Sequence, residues 1–324
     1  MKKRRAGIIT PFITAFIIIL FFRPALFAGA FDYIQKAGGA LNAEAAPGSQ
    51  TSENAPLANA AQGGKPACPG GHVHGPQCGG HKIENSNLVI IYGKAGGEEY
   101  EVIKNEIKES QIFETLAQHL GLQIKLPAEL KLKLCMAGEE NAYYDSEKKE
   151  ILISYELLRY FEKLVESQQG LSEDEKAELF VDLAFFVTLH ELGHALIDIF
   201  DLPITGKEED VADQLAAWII LKTFGDDDHQ AVLALINASE WFVAEFDAGQ
   251  IKAEDLEFAG SHSLDPQRFY NMITWAYGFN PNAATAALGS DIEELLPEER
   301  IEFAEAEFER MDKSFMTLLE KYLK

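Results

Sequence analysis

Apolar residues alternate with polar ones over short stretches early in the chain and then recur every three to four positions. Alternation places successive side chains on opposite faces of a strand. It predicts strands at 87–93, 130–136, 142–145 and 150–154, with Asp145-Ser146-Glu147-Lys148 turning between the last two. The three-to-four spacing predicts helices at 101–120, 155–168, 173–200, 207–224, 228–247, 264–277 and 297–323. The result is an α+β arrangement: a small N-terminal mixed or antiparallel sheet followed by a mainly helical domain. No internal repeat is visible.

The longest helix carries its own boundary signals. Ser172 followed by Glu175 forms a capping box before it, and Leu202-Pro203-Ile204-Thr205-Gly206 forms a turn after it. Gly193 inside it costs about 1 kcal/mol relative to alanine. That cost points to the close approach of another backbone, a substrate-binding strand or a packing neighbour.

Composition divides the chain into three parts. Residues 1–30 read as a signal peptide or N-terminal membrane anchor. Lys2, Lys3, Arg4 and Arg5 precede an apolar run at 6–22, and Ala28-Gly29-Ala30 resembles a cleavage site. The expected location is therefore the cell envelope or periplasm, anchored or released. Residues 31–86 are rich in Ala, Gly, Pro, Asn and Ser and read as a flexible linker. It contains Cys68, His72, His74, Cys78 and His81, a cluster open to two readings: a disulfide loop or a second metal site. Residues 87–324 suffice for one domain with a sizeable core.

Charge narrows the partners. The whole chain has a formal charge of −24 at pH 7. The acid is concentrated after residue 87, so no nucleic-acid partner is expected. The excess suits cationic peptides or bound cations, or serves solubility alone.

The candidate chemistry lies in the 173–200 helix. His190-Glu191-Leu192-Gly193-His194 is an H-E-x-x-H motif. Residues four apart share a helical face, so both imidazoles can point at one metal ion with Glu191 beside it. Leu183, Val187, His190, His194 and Ile197 form one stripe, so the histidines continue a buried face. A catalytic zinc needs a third protein ligand and an open position. Glu209 is the candidate ligand, with Glu208 its competitor. Asp213, one turn further, would accept the N–H of a ligating histidine and fix its tautomer.

The run His190–Ala217 resembles the gluzincin zinc peptidases. More closely, the chain from about residue 87 onward is similar to a bacterial family of metallopeptidase-like domains of unknown function. The matching stretches include Asn141-Ala142-Tyr143-Tyr144-Asp145, Tyr155-Glu156-Leu157, His262-Ser263-Leu264-Asp265-Pro266-Gln267-Arg268 and Trp275-Ala276-Tyr277-Gly278. The resemblance implies a zincin-like metallopeptidase domain acting on peptides or proteins.

The expected activity is zinc-dependent peptide hydrolysis with one catalytic Zn2+. His190, His194 and Glu209 hold the metal, and Glu191 acts as general base. His262 is the candidate electrophile for the developing oxyanion. Asn141, Tyr143, Tyr155, Arg268 and Tyr270 are the candidates for substrate contact. Two other readings stay open: a zinc- and peptide-binding envelope protein with little turnover, and an envelope metal-binding protein that uses the 68–81 cluster.

Overall fold

The computed structural model describes residues 81–83, 86–223, 228–247, 260–289 and 292–324. The segments 1–30 and most of 31–86 lie outside these, with Cys68, His72, His74 and Cys78. The sheet begins before residue 87: β1 (His81–Lys82) pairs antiparallel with β2 (Leu88–Tyr92). Ile83, which follows β1, is buried.

Five strands form one mixed sheet in the order β1-β2-β3-β5-β4. β3 (Leu130–Cys135) and β5 (Glu150–Ser154) are parallel to each other, and β2 is parallel to β3. Ile90, Leu132 and Ile151 stand in register across the three. A parallel pair needs a crossover. The β2–β3 crossover contains α1 (Glu98–Ser110) and α2 (Ile112–Gln123). β4 (Ala142–Asp145) is antiparallel to β5 and forms one edge of the sheet. Its hairpin turns on the Asp145 carboxylate, which accepts from the backbone N–H of Glu147 and Lys148 at 3.0 and 3.1 Å. This is an Asx turn of the kind aspartate favours.

Helices follow. Ser154 ends β5 and caps α3 (Tyr155–Ser167), its hydroxyl accepting from Leu157 N at 3.0 Å. The expected capping box opens α4 (Glu173–Phe200): Ser172 Oγ accepts from Glu175 N, and Glu175 accepts from Ser172 N. α5 (Glu208–Thr223), α6 (Asp228–Ser239) and α7 (Trp241–Asp247) come next, then α8 (Asp265–Phe279), α9 (Pro281–Leu288), the short α10 (Ile292–Leu295) and α11 (Glu298–Leu319). α4 is the centre of the fold. β4, β5, α3, α5 and α6 all pack on it. Among the described residues it is the one helix long and apolar enough to cross a membrane, and here it is mostly buried inside the fold.

Three departures from the sequence reading have identifiable causes. The 101–120 helix is two helices, broken at Gln111 with φ 56°. The 228–247 helix is also two, broken at Glu240. Each break follows a serine whose hydroxyl donates to the carbonyl three residues back: Ser110 to Ile107 at 2.9 Å and Ser239 to Ile236 at 2.6 Å. Such bonds compete with helix continuation. The third departure is α9, which the apolar periodicity passes over. Asn280 caps it by accepting from Ala283 N at 3.0 Å, and Pro281 opens it.

Candidate metal centre

Two helices build the site. α4 supplies His190, Glu191 and His194, and α5 supplies Glu208, Glu209 and Asp213. They cross closely because Gly193 has no side chain. A Cβ there would sit 3.0 Å from Ala212 Cα and 3.2 Å from its carbonyl oxygen. The backbone that Gly193 admits is thus α5, which carries the acidic half of the site, rather than a substrate-binding strand.

The donor atoms converge. The Nε2 atoms of His190 and His194 are 3.3 Å apart. Glu209 Oε2 lies 3.2 Å from the first and 3.1 Å from the second. Tetrahedral ligands at 2.0–2.1 Å from zinc stand about 3.3 Å from one another. Two imidazoles and a carboxylate with nearly this spacing fit a zinc-type ion by chemistry and by distance.

Each histidine is held from behind. His190 Nδ1–H donates to Asp213 Oδ1 at 2.8 Å, and His194 Nδ1 lies 2.8 Å from Glu208 Oε1. With Nδ1 held by these carboxylates, Nε2 is the nitrogen left facing the metal position. Asp213 is itself clamped by Arg268, with Nε to Oδ2 at 2.8 Å and Nη2 to Oδ1 at 2.7 Å. The guanidinium also lies 4.2 Å from the Phe242 ring centre. His190, Asp213 and Arg268 are all buried, so the chain forms a desolvated relay of position.

The electrostatics follow from this packing. Burial opposes charge on His190, but the hydrogen bonds to Asp213 and Glu209 outweigh it and raise its pKa to about 9. Burial likewise opposes charge on Asp213 and Glu209. The hydrogen bonds of His190 and Arg268 to the first, and of three histidines to the second, hold both below the usual carboxylate range. Glu191 differs: it is buried, and burial raises its pKa. The nearby His190 and His194 moderate the rise. A carboxyl pushed upward beside a metal position is suited to taking and giving a proton.

His262 joins the cluster from the loop before α8. Its Nε2 is 2.9 Å from Glu209 Oε2, and its ring stacks on His190 with centres 5.8 Å apart. Ser263, next to it, donates to Asp210 Oδ1 on α5 at 2.6 Å.

The expected substrate residues scatter. Tyr155 is in the core, its hydroxyl donating to the Gly93 carbonyl at 3.2 Å. Tyr143 packs on Cys135, Ala137 and Leu152. Tyr144 reaches the opposite way, to Asp198 on α4 at 2.6 Å. Alternation in β4 thus turns Tyr143 away from the metal helix. Asn141 holds the start of β4, donating through its backbone to Ser154 Oγ at 3.0 Å. Tyr270 packs edge-on against Phe269 with ring centres 5.5 Å apart. Arg268 serves Asp213 instead of facing a cleft. Sequence reasoning missed the partnership of Glu208 with His194 and the Ser263–Asp210 tie. His81 opens β1, while the rest of the 68–81 cluster lies outside the described residues.

An H-E-x-x-H helix crossed by a Glu/Asp-bearing helix, with donors converging at ligand spacing, forms a candidate metal centre. The chain belongs to a family described as "Putative metallopeptidase", whose model matches residues 92–319. No curated protein and no solved structure matches it.

Proposed function

We propose that the chain is an exported zinc-dependent metallopeptidase of gluzincin type, with a zincin-like arrangement of sheet edge and metal helix. The observation that carries the reading is the near-tetrahedral spacing of His190 Nε2, His194 Nε2 and Glu209 Oε2. These three residues would hold the ion. When bound, zinc supplies Lewis acidity, lowering the pKa of a water towards about 7 and polarising a peptide carbonyl.

The protein supplies the rest. Glu191 accepts the proton of the attacking water on its carboxylate and delivers it to the leaving amine. Burial raises its pKa above the usual carboxylate value, the direction required of a group that both takes and gives a proton. Asp213 and Glu208 keep the imidazoles turned towards the ion. His262 is placed to donate to the oxyanion that develops on the substrate carbonyl. β4 is an edge strand beside α4, so an extended peptide can add to it by main-chain hydrogen bonds. The acidic surface favours cationic segments of such a peptide.

Glu191→Gln tests the assignment. The variant is expected to retain about one zinc per chain by mass spectrometry and to lose peptide cleavage by at least a hundredfold. Comparable cleavage by the metal-loaded variant would overturn the role of Glu191. Wild type that binds zinc and peptide but cleaves no member of a peptide library would be a binding domain instead.

A further inference from the structure

A catalytic zinc site keeps one position open, whereas a site with four protein ligands is closed. Here a further donor stands beside Glu209 and His190. His262 Nε2 lies 2.9 Å from Glu209 Oε2, and His190, Glu209 and His262 offer ligand atoms that all lie within 4.8 Å of one another. The His262 ring is also stacked on His190, 26° from parallel.

This position is braced. Ser263 donates to Asp210, one residue beyond Glu209 on the same helix. Leu264 N donates to Gln267 Oε1 at 3.2 Å, fixing the entry into α8. Four residues into that helix, Arg268 grips Asp213. The segment 263–268 is therefore tied to α5 at two points, Asp210 and Asp213, within the turn that follows Glu209, and His262 is the residue it presents. The other two imidazoles are anchored through Nδ1 by carboxylates, Asp213 and Glu208. Among the described residues the Nδ1 of His262 meets only Ser261 Oγ, at 3.3 Å, and its side chain is about half exposed. It is thus the donor best able to leave.

We propose that His262 is a fourth protein ligand of the resting metal centre, displaced by incoming substrate. The proposal rests on the metallopeptidase reading but adds a state to it. With His262 bound, the resting site would be closed by four protein ligands. Incoming substrate would displace His262 from that position. The freed imidazole then stands beside the reacting carbonyl, where it can donate to the oxyanion.

The test measures coordination separately from turnover. Zinc affinity is read by chelator competition on the full chain, and the visible absorption of the cobalt(II)-substituted protein reports its ligand set. Wild type and His262→Ala share residues 68–81, so any metal held there cancels in the comparison. His262→Ala is expected to bind zinc at least tenfold more weakly and to show an altered cobalt band, which added imidazole restores. Ser263→Ala, which keeps the imidazole but removes its brace, is expected to speed zinc loss to a chelator. An unchanged affinity and an unchanged cobalt band in His262→Ala would overturn the fourth ligand and leave the peptidase reading intact. Failure of the wild type to bind zinc at all would overturn both.

Discussion

Arg268 shows how far a single side chain can act from the chemistry. Its guanidinium is buried, bidentate on Asp213 and packed on Phe242, and Asp213 in turn orients His190. Breaking a buried ion pair by removing one partner costs about 3–5 kcal/mol, because the other charge is left unpaired. Arg268→Gln is therefore expected to lower the melting temperature and to weaken zinc binding by about 10–100-fold. Arg268→Lys keeps the charge but not the fork, and should recover only part of either. Melting curves and chelator competition on both variants check this. The convergence of His190, His194, Glu209 and Asp213 could be expected from the sequence because helical spacing fixes which residues of each helix share a face. The partner of Arg268 could not, since it lies 55 residues away in the chain. Glu208 had a signal that was open to misreading: an acid in the first turn of a helix usually needs no explanation beyond the helix dipole.

Among the elements, the α4–α5 crossing governs the site. Gly193→Val would press a branched side chain into the Ala212 backbone. Overpacking of this kind costs about 1–3 kcal/mol. The helices can relieve it only by moving apart, which separates Glu209 from the two histidines. The variant should melt lower and bind zinc more weakly, as thermal denaturation with and without zinc would register. The sheet edge is tied to the same helix through Asp198, which accepts from Tyr144 at 2.6 Å and from Lys149 at 2.5 Å. Burial opposes its charge, but those two partners hold its pKa below the usual aspartate value. The stabilisation is thus fully present above pH ~4, the unfolded value, and is lost as pH falls through the lower folded value. Asp198→Asn should flatten the acid limb of the unfolding profile, while an unaltered limb would show the tie to be idle. Element boundaries were harder to read than element existence. Three helices, α1, α3 and α6, end on a serine whose hydroxyl takes the carbonyl three residues back. A serine inside an apolar periodicity marks such an end only once that bond is known to form. The Asn280-Pro281 pair before α9 was a readable start signal that the weak periodicity of an alanine-rich helix concealed.

For the whole molecule, the donors that converge at the centre come from α4, α5 and the loop before α8, so an ion there would cross-link three parts of the fold. Binding to the folded state alone adds about 4 kcal/mol at a thousand times the dissociation constant. Chelation should accordingly lower the melting temperature by several degrees, and zinc should restore it. A melting temperature indifferent to chelator would mean that the three parts are held equally well without the ion. The α+β class was readable because alternation and helical periodicity occupy different stretches of the chain. The parallel pairing of β2, β3 and β5 was not, since it depends on crossovers that a strand's own pattern does not encode.

The burial of α4 also bears on the order of events during synthesis. A helix this apolar is insoluble by itself, and its cover comes from both directions along the chain: β4, β5 and α3 precede it, while α5 and α6 follow. When Phe200 has just been made, half of that cover does not yet exist. Until Ser239 is in place the nascent chain carries an uncovered apolar flank, with the H-E-x-x-H motif on the same helix. Fragments ending between residues 200 and 239 should aggregate, and the metal ligands of α4 meet their acidic counterparts only as that flank is covered.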